Sequence, residues 1–155
     1  TNYLIMNKLS LIILFFMPQL IFSQIFTDKY IKEANEVSNE WLFNLNNKNY
    51  AQAYSEYHEK VKYNSDSISS CKAFNQLMNE FGMLKSRALD TIFFKNNIEG
   101  LGDGFYVFTE YKSIYKKIGL CQEYIIMGQN DHLKWKILRY DFSYNNEELN
   151  EQDKL

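Results

Sequence analysis

The chain has 155 residues and a formal net charge of −2. Its 12 tyrosines and 12 phenylalanines can build a substantial core, which excludes a chain that is disordered by composition. The slightly acidic balance offers neither the basic patch of a nucleic-acid-binding protein nor a polybasic segment for anionic lipids. We therefore expect one packed domain with no nucleic-acid partner.

The N-terminal stretch is an apolar run, residues 9–17, that follows the single charge of Lys8 and is broken by Pro18. A membrane-spanning helix needs roughly 20 apolar residues, and this run is shorter. A positive start, a short apolar run and a small residue at its end are typical of a signal peptide. We predict a signal peptide over residues 1–23 with the true start at Met6, and export to the periplasm or medium without a stable span after cleavage. An uncleaved N-terminal anchor is the alternative.

The first half of the mature chain shows helical periodicity. Apolar residues recur at helical spacing over 27–46, 50–60 and 68–81, which predicts three helices. Gly82 follows the third and is expected to end it.

The second half changes to the pattern of strands. A glycine-bearing loop is expected at 96–104, and the tail 145–155 is polar. The four predicted strands, linked mostly by short turns, are residues 86–95, 105–116, 120–128 and 133–144. Short turns imply antiparallel pairing, and helices followed by strands imply an α+β fold with the helices on one face of the sheet. The sequence thus predicts a single α+β domain over 27–144.

Motifs for catalysis, metal binding or phosphate binding are not found, so we predict no catalytic residue, metal ligand or cofactor. The two histidines, His58 and His132, lie in a polar helical stretch and a predicted turn, and both are expected on the surface. Cys71 and Cys121 could form a disulfide after export or remain two separate buried thiols.

Two charges lie inside apolar strands. If Arg87 and Glu123 both face the helices, they are expected to pair, since buried charges are tolerated only when paired or hydrogen-bonded. Such a pair could line a pocket, or it could be a structural salt bridge or an edge charge. In the last strand, Trp135 and Ile137 share one face while Leu138 and the following alternate residues share the other, which predicts either a bulge or burial on both faces.

The ordered pattern of several short elements resembles a family of exported bacterial proteins, domain of unknown function 4019. The elements are a Trp-Leu pair ending the first helix, a glycine followed by Ser-Arg, a glycine loop before a tyrosine-rich strand, a glutamate and a final Trp-to-Tyr segment. The residues that carry them are Trp41, Leu42, Gly82, Ser86, Arg87, Gly102, Gly104, Tyr106, Glu123, Trp135 and Tyr140. The resemblance implies a cystatin-like or nuclear-transport-factor-2-like fold, with three helices packed on a curved four-stranded antiparallel sheet. The family name carries no activity.

Folds of this type enclose a cone between sheet and helices that can bind small molecules. We predict a non-enzymatic domain that binds a small ligand or a cell-envelope protein, with the site residues Arg87, Tyr106, Glu123, Tyr140 and Trp41. One alternative is an enzyme that uses Glu123 or Asp141 as a general base in the same cone. Another is a purely structural homodimer whose cone is filled.

Overall fold

The computed structural model of the protein describes residues 25–144. The predicted signal peptide, residues 1–23, and the predicted polar tail, residues 145–155, lie outside this range. Within it, no helix is long and apolar enough to cross a membrane. The described helices are α1 at residues 25–46, α2 at Tyr50–Ser55, α3 at Glu59–Lys62 and α4 at Ser67–Phe81.

Helix α4 begins and ends on local signals. The carboxylate of Asp66 accepts a hydrogen bond from the backbone amide of Ser69 at 2.9 Å, which caps the first turn. Gly82 follows the last turn with φ of +75°, a backbone conformation that glycine adopts easily. The predicted helix at 68–81 and its glycine end are therefore confirmed.

The prediction of a single helix at 50–60 is wrong, because this segment leaves the helical path to pair with a strand. The amide of Ile137 donates to the carbonyl of Glu56, and the amide of His58 donates to the carbonyl of Ile137, both at 2.9 Å. Tyr57 thereby forms a parallel bridge with Ile137. Pairing with the sheet edge overrides the local helical pattern and separates α2 from α3.

The strands form one antiparallel sheet in the order β1-β2-β3-β4. Their bounds are β1 at Leu84–Ile98, β2 at Gly102–Tyr115, β3 at Gly119–Gln129 and β4 at Trp135–Tyr144. The fold is α+β with a four-stranded antiparallel sheet, as predicted. The loop predicted at 96–104 is shorter, because both strands continue into it and leave only residues 99–101 as the turn.

Helices α1, α2 and α4 pack on one side of the sheet, called here the helix-facing side; the opposite side is the outer face. Helix α1 runs along the length of β4. Its Tyr30 ring lies 5.9 Å from Trp135 at the end that carries the β1–β2 and β3–β4 turns, and its Trp41 ring lies 5.0 Å from Tyr140 further along β4. The core between the layers is aromatic and aliphatic, and its fully buried members include Trp41, Leu42, Leu45, Phe81, Tyr115, Ile125, Met127 and Ile137.

Strand β4 contains a bulge, one of the two predicted explanations for its change of phase. Met127 pairs with Ile137, whereas the preceding residue, Ile126, pairs with Arg139. Leu138 is therefore one extra residue on β4.

The bulge restores one common face to β4. Trp135 and Ile137 before it are buried, and after it Tyr140 contacts Trp41 of α1. Phe142 contacts the ring of Phe81 in α4 at 4.9 Å. All four β4 side chains thus lie on the helix-facing side.

Candidate functional site

The sheet brings Arg87 and Glu123 together from strands that are not neighbours. Arg87 on β1 is the register partner of Ser113 on β2, which in turn is opposite Cys121 on β3. Glu123 lies two residues beyond Cys121 and so points to the same face. Its carboxylate Oε2 is 2.8 Å from Nη2 of Arg87, so the ion pair extends across β2.

The carboxylate of Glu123 is fully buried and surrounded by donors. Its Oε1 accepts hydrogen bonds from the hydroxyls of Tyr115 at 3.0 Å and Tyr140 at 2.7 Å. Its Oε2 accepts from Nε of Arg87 at 2.9 Å and from the hydroxyl of Ser113. The side chain of Arg87 is 12% exposed and that of Glu123 is 0% exposed. The charge is therefore both paired and hydrogen-bonded, which is the condition for burying it.

The groups around this carboxylate are held in their protonated forms. Burial, reinforced by the negative charge of Glu123, raises the pKa of Tyr115 and moves the pKa of Tyr140 well above its ordinary value. The same two causes raise the pKa of the Cys121 thiol to about 12. The two tyrosine hydroxyls consequently remain hydrogen-bond donors to the carboxylate throughout the neutral pH range.

Trp41 lies beside the network as part of the core. Its indole Nε1 donates to the carbonyl of Ala53 at 3.0 Å, and its ring lies 5.0 Å from the Tyr140 ring at an interplanar angle of 59°. The structure thus brings together four of the five predicted site residues, namely Arg87, Glu123, Tyr140 and Trp41.

Tyr106, the fifth predicted residue, lies on the outer face. It alternates along β2 with Val107, which is part of the helix-facing core. Its hydroxyl donates to the carbonyl of Leu101 at 3.4 Å in the β1–β2 turn. A methyl group at Gly104 would come within 2.8 Å of the Tyr106 hydroxyl, so the ring rests directly against a residue without a side chain.

The histidines and cysteines lie apart from one another. The prediction that His58 is a surface residue is wrong: it is buried, and its Nδ1 accepts from the amide of Lys60 at 3.1 Å as the cap of α3. His132 is exposed in the β3–β4 turn. Cys71 on α4 and Cys121 on β3 both carry free thiols.

A groove that the sequence did not predict lies at the outer face, between α3 and the β1–β2 turn. We call it the α3 groove. It has a volume of about 660 Å³. Its apolar lining consists of Val61, Ile98, Leu101, Ile126 and Leu138. Charged side chains at its margin are Lys60, Glu99 and Arg139.

Three features of the chain shape this groove. The bulge in β4 supplies both Leu138 and Arg139 to the lining. Gly128 leaves room for Leu138, because a methyl group there would come within 2.5 Å of Leu138 Cδ1. Gly100, with φ of +83°, allows the tight β1–β2 turn. The glycine loop and the phase change of the last strand are thus visible in the sequence. Only the folded sheet brings them together to form the groove.

Among residues 25–144, no three His, Cys, Asp or Glu side chains come together as a metal site would require. Asp141, the alternative general base, pairs with Arg139 at the outer face.

Comparison with known proteins gives a family. Residues 37–140 match the family described as "Protein of unknown function (DUF4019)". The chain belongs to this family. The match covers all four strands up to Tyr140 and thus includes the Arg87–Glu123 network and the α3 groove.

This DUF4019 protein resembles solved structures but no curated protein. No curated protein matches it. It is similar to a solved structure from Catenulispora acidiphila at 6% identity and a TM-score of 0.49, over 77% of this chain and 94% of the other.

Proposed function

We propose that this DUF4019 domain is an exported, non-enzymatic binding module whose small-molecule ligand occupies the α3 groove. The observation that carries the proposal is the groove itself, about 660 Å³ in volume with an apolar floor and a few charged side chains at its margin. Small-molecule sites commonly have this size and this combination of apolar lining and sparse polar groups.

The buried network supports a binding role over catalysis. A general base must come within hydrogen-bond distance of a substrate proton. Glu123 is 0% exposed, and both of its oxygens already accept hydrogen bonds. Asp141 is accessible, but it is paired with Arg139. The network thus holds side chains of all four strands together, and the α3 groove offers an accessible place for a ligand.

Binding is tested with a neutral fluorescent probe, N-phenyl-1-naphthylamine, whose emission rises in apolar sites. We expect saturable binding to the wild type and weaker binding to Leu101→Gln, since Leu101 lines the groove. Leu120→Gln is the matched control, because Leu120 is also exposed but lies near the start of β3, at the opposite end of the sheet. Absence of saturable binding, or equal loss in both variants, would refute the proposal.

Export is supported by the apolar segment at residues 9–17 after Lys8. It is tested by expressing the chain from Met6 and measuring the mass of the product recovered from the periplasm. A product that begins at Gln24 supports export with cleavage. A full-length product in the cytoplasm contradicts it.

A second candidate function is self-association through the outer face. Phe93 and Phe108 stack there at 4.9 Å, and Phe93 is 40% exposed. Ile114 and Leu120 are exposed as well, at 43% and 49%. Exposed apolar side chains that form a contiguous patch are typical of protein contacts. Native mass spectrometry separates the candidates: a dimer without bound ligand favours self-association, whereas a monomer with a retained small molecule favours the binding module.

A further inference from the structure

The charges of the α3 groove are unevenly distributed. Lys60 and Arg139 are contributed by α3 and β4, which adjoin one another through the backbone pairing of His58 with Ile137. Glu99 belongs to the β1–β2 turn on the other side. One side of the groove therefore carries two cationic side chains, of which Arg139 is paired with Asp141, and the apolar lining extends from them toward the β1–β2 turn.

Both cations have donors to offer. Lys60 is exposed and has no carboxylate at ion-pair distance among residues 25–144. Arg139 contacts Asp141 through Nε. An arginine side chain carries two further nitrogen atoms with donors, and guanidinium groups commonly bind carboxylates through more than one of them.

The position of Lys60 is fixed by the fold. His58 caps α3 by accepting from the amide of Lys60 itself at 3.1 Å. Asn130 of the β3–β4 turn donates to the carboxylate of Glu59 at 3.0 Å. These two hydrogen bonds anchor the first turn of α3. They thereby fix the backbone of Lys60 at the groove margin.

From this arrangement we infer that the ligand of the α3 groove is an amphipathic acid, with one anionic head group on an unbranched apolar chain. The head group lies between Lys60 and Arg139, and the chain lies over Leu138 and Ile126 and reaches Leu101 of the β1–β2 turn. The inference rests on the proposed function, because it names the class of molecule that the groove would take.

The test compares dodecanoate with dodecanol as competitors of the neutral probe. Without recognition of the head group, the alcohol should bind at least as well, since the carboxylate loses more hydration on leaving water. Charge-assisted hydrogen bonds to two cations are expected to reverse this order and favour dodecanoate roughly tenfold. Butyrate, which has the charge but not the chain, should displace little probe.

Lys60→Gln should abolish most of the preference for dodecanoate and leave dodecanol binding unchanged. Lys72→Gln is the matched control, since Lys72 is an exposed lysine on α4 that does not line the groove. Thermal unfolding of each variant checks that the fold is retained.

The outcomes separate the two proposals. If the probe binds and Leu101→Gln weakens it, but both competitors bind equally or the alcohol binds better, the inference about the ligand class is overturned and the binding module stands. If the probe itself does not bind, both proposals fail.

Discussion

Arg87 and Glu123 lie on β1 and β3, and their side chains meet at 2.8 Å across the intervening strand β2. Ser113, on β2 between them, donates to the same carboxylate, so all three strands contribute to one buried contact. The pair therefore fastens the edge strand β1 to the centre of the sheet.

Removing one partner of this pair should destabilise the protein more than removing both. Arg87→Met leaves a buried carboxylate without its counter-charge, and we expect the free energy of unfolding to fall by about 3 kcal/mol or more. For Arg87→Met combined with Glu123→Gln, the free energy of unfolding should fall less, because no buried charge remains and the amide oxygen can still accept from the tyrosine hydroxyls. Urea denaturation of both variants and of Glu123→Gln measures the coupling. Additive losses would contradict the prediction. Lys112→Met, which breaks the half-exposed pair with Asp90 between β1 and β2, is the control and should have a much smaller effect.

Alkaline pH should destabilise the fold through groups that remain protonated inside it. Burial raises the pKa of Cys121 and of Tyr57 each to about 12, and the pKa of Tyr140 is raised as well. The unfolded chain therefore releases these protons at a lower pH than the folded chain does. The stabilisation that these groups contribute is fully present below about pH 9 and is lost as the pH rises above it. Each group can contribute up to about 1.4 kcal/mol per pH unit. Urea midpoints measured from pH 7 to 11 test this, and Cys121→Val should delay the onset. A midpoint that stays constant or rises would refute it.

The two thiols should differ in reactivity. Cys71 is half-buried on α4, whereas Cys121 is buried and its raised pKa leaves almost no thiolate at pH 8. Iodoacetamide treatment followed by intact-mass measurement should show one label in the native protein and two after unfolding in urea without reductant. A bridged pair would take up none under either condition, and rapid double labelling of the native protein would contradict the burial of Cys121.

Tyr106→Phe should lower the affinity of the α3 groove for a ligand without unfolding the domain. The change removes the hydroxyl that donates to the Leu101 carbonyl, so we expect a loss of about 1 kcal/mol in stability and reduced affinity for the neutral probe. Tyr124→Phe is the matched control, because its hydroxyl bonds only Gln122 on its own strand. Probe affinity that is unchanged in Tyr106→Phe would show that this residue does not position the turn.

Local chemistry explains which features could be predicted from sequence. Helix α4 has its own cap at Asp66 and its own end at Gly82, so its bounds depend on neighbours in the chain. Strands that follow one another through short turns pair most simply as antiparallel neighbours, and this is the order observed. The pairing of Arg87 with Glu123 could be anticipated because two charges in apolar strands must neutralise each other when they are buried.

The remaining features depend on contacts between distant segments. The predicted second helix is interrupted because the backbones of Glu56 and His58 form hydrogen bonds with Ile137, about 80 residues away in the chain. No local sequence pattern predicts that pairing. The same contact buries His58. The sequence does not reveal which face of the sheet Tyr106 occupies, because a strand residue can point to either face until the register is known. The α3 groove combines α3, the β1–β2 turn and the bulge, and therefore exists only in the assembled fold.

The extra residue in β4 belongs to the groove and not to the core. Deleting Leu138 would leave Ile137 and Tyr140 on the helix-facing side in their present register, because Arg139 alone would then stand between them. Tyr140 would still donate to the Glu123 carboxylate, whereas the α3 groove would lose one apolar side chain of its lining. A single length change would thus alter the proposed binding surface and spare the buried network on the opposite face of the sheet. Relatives of this chain are therefore expected to vary in length at this point of β4 without loss of the fold.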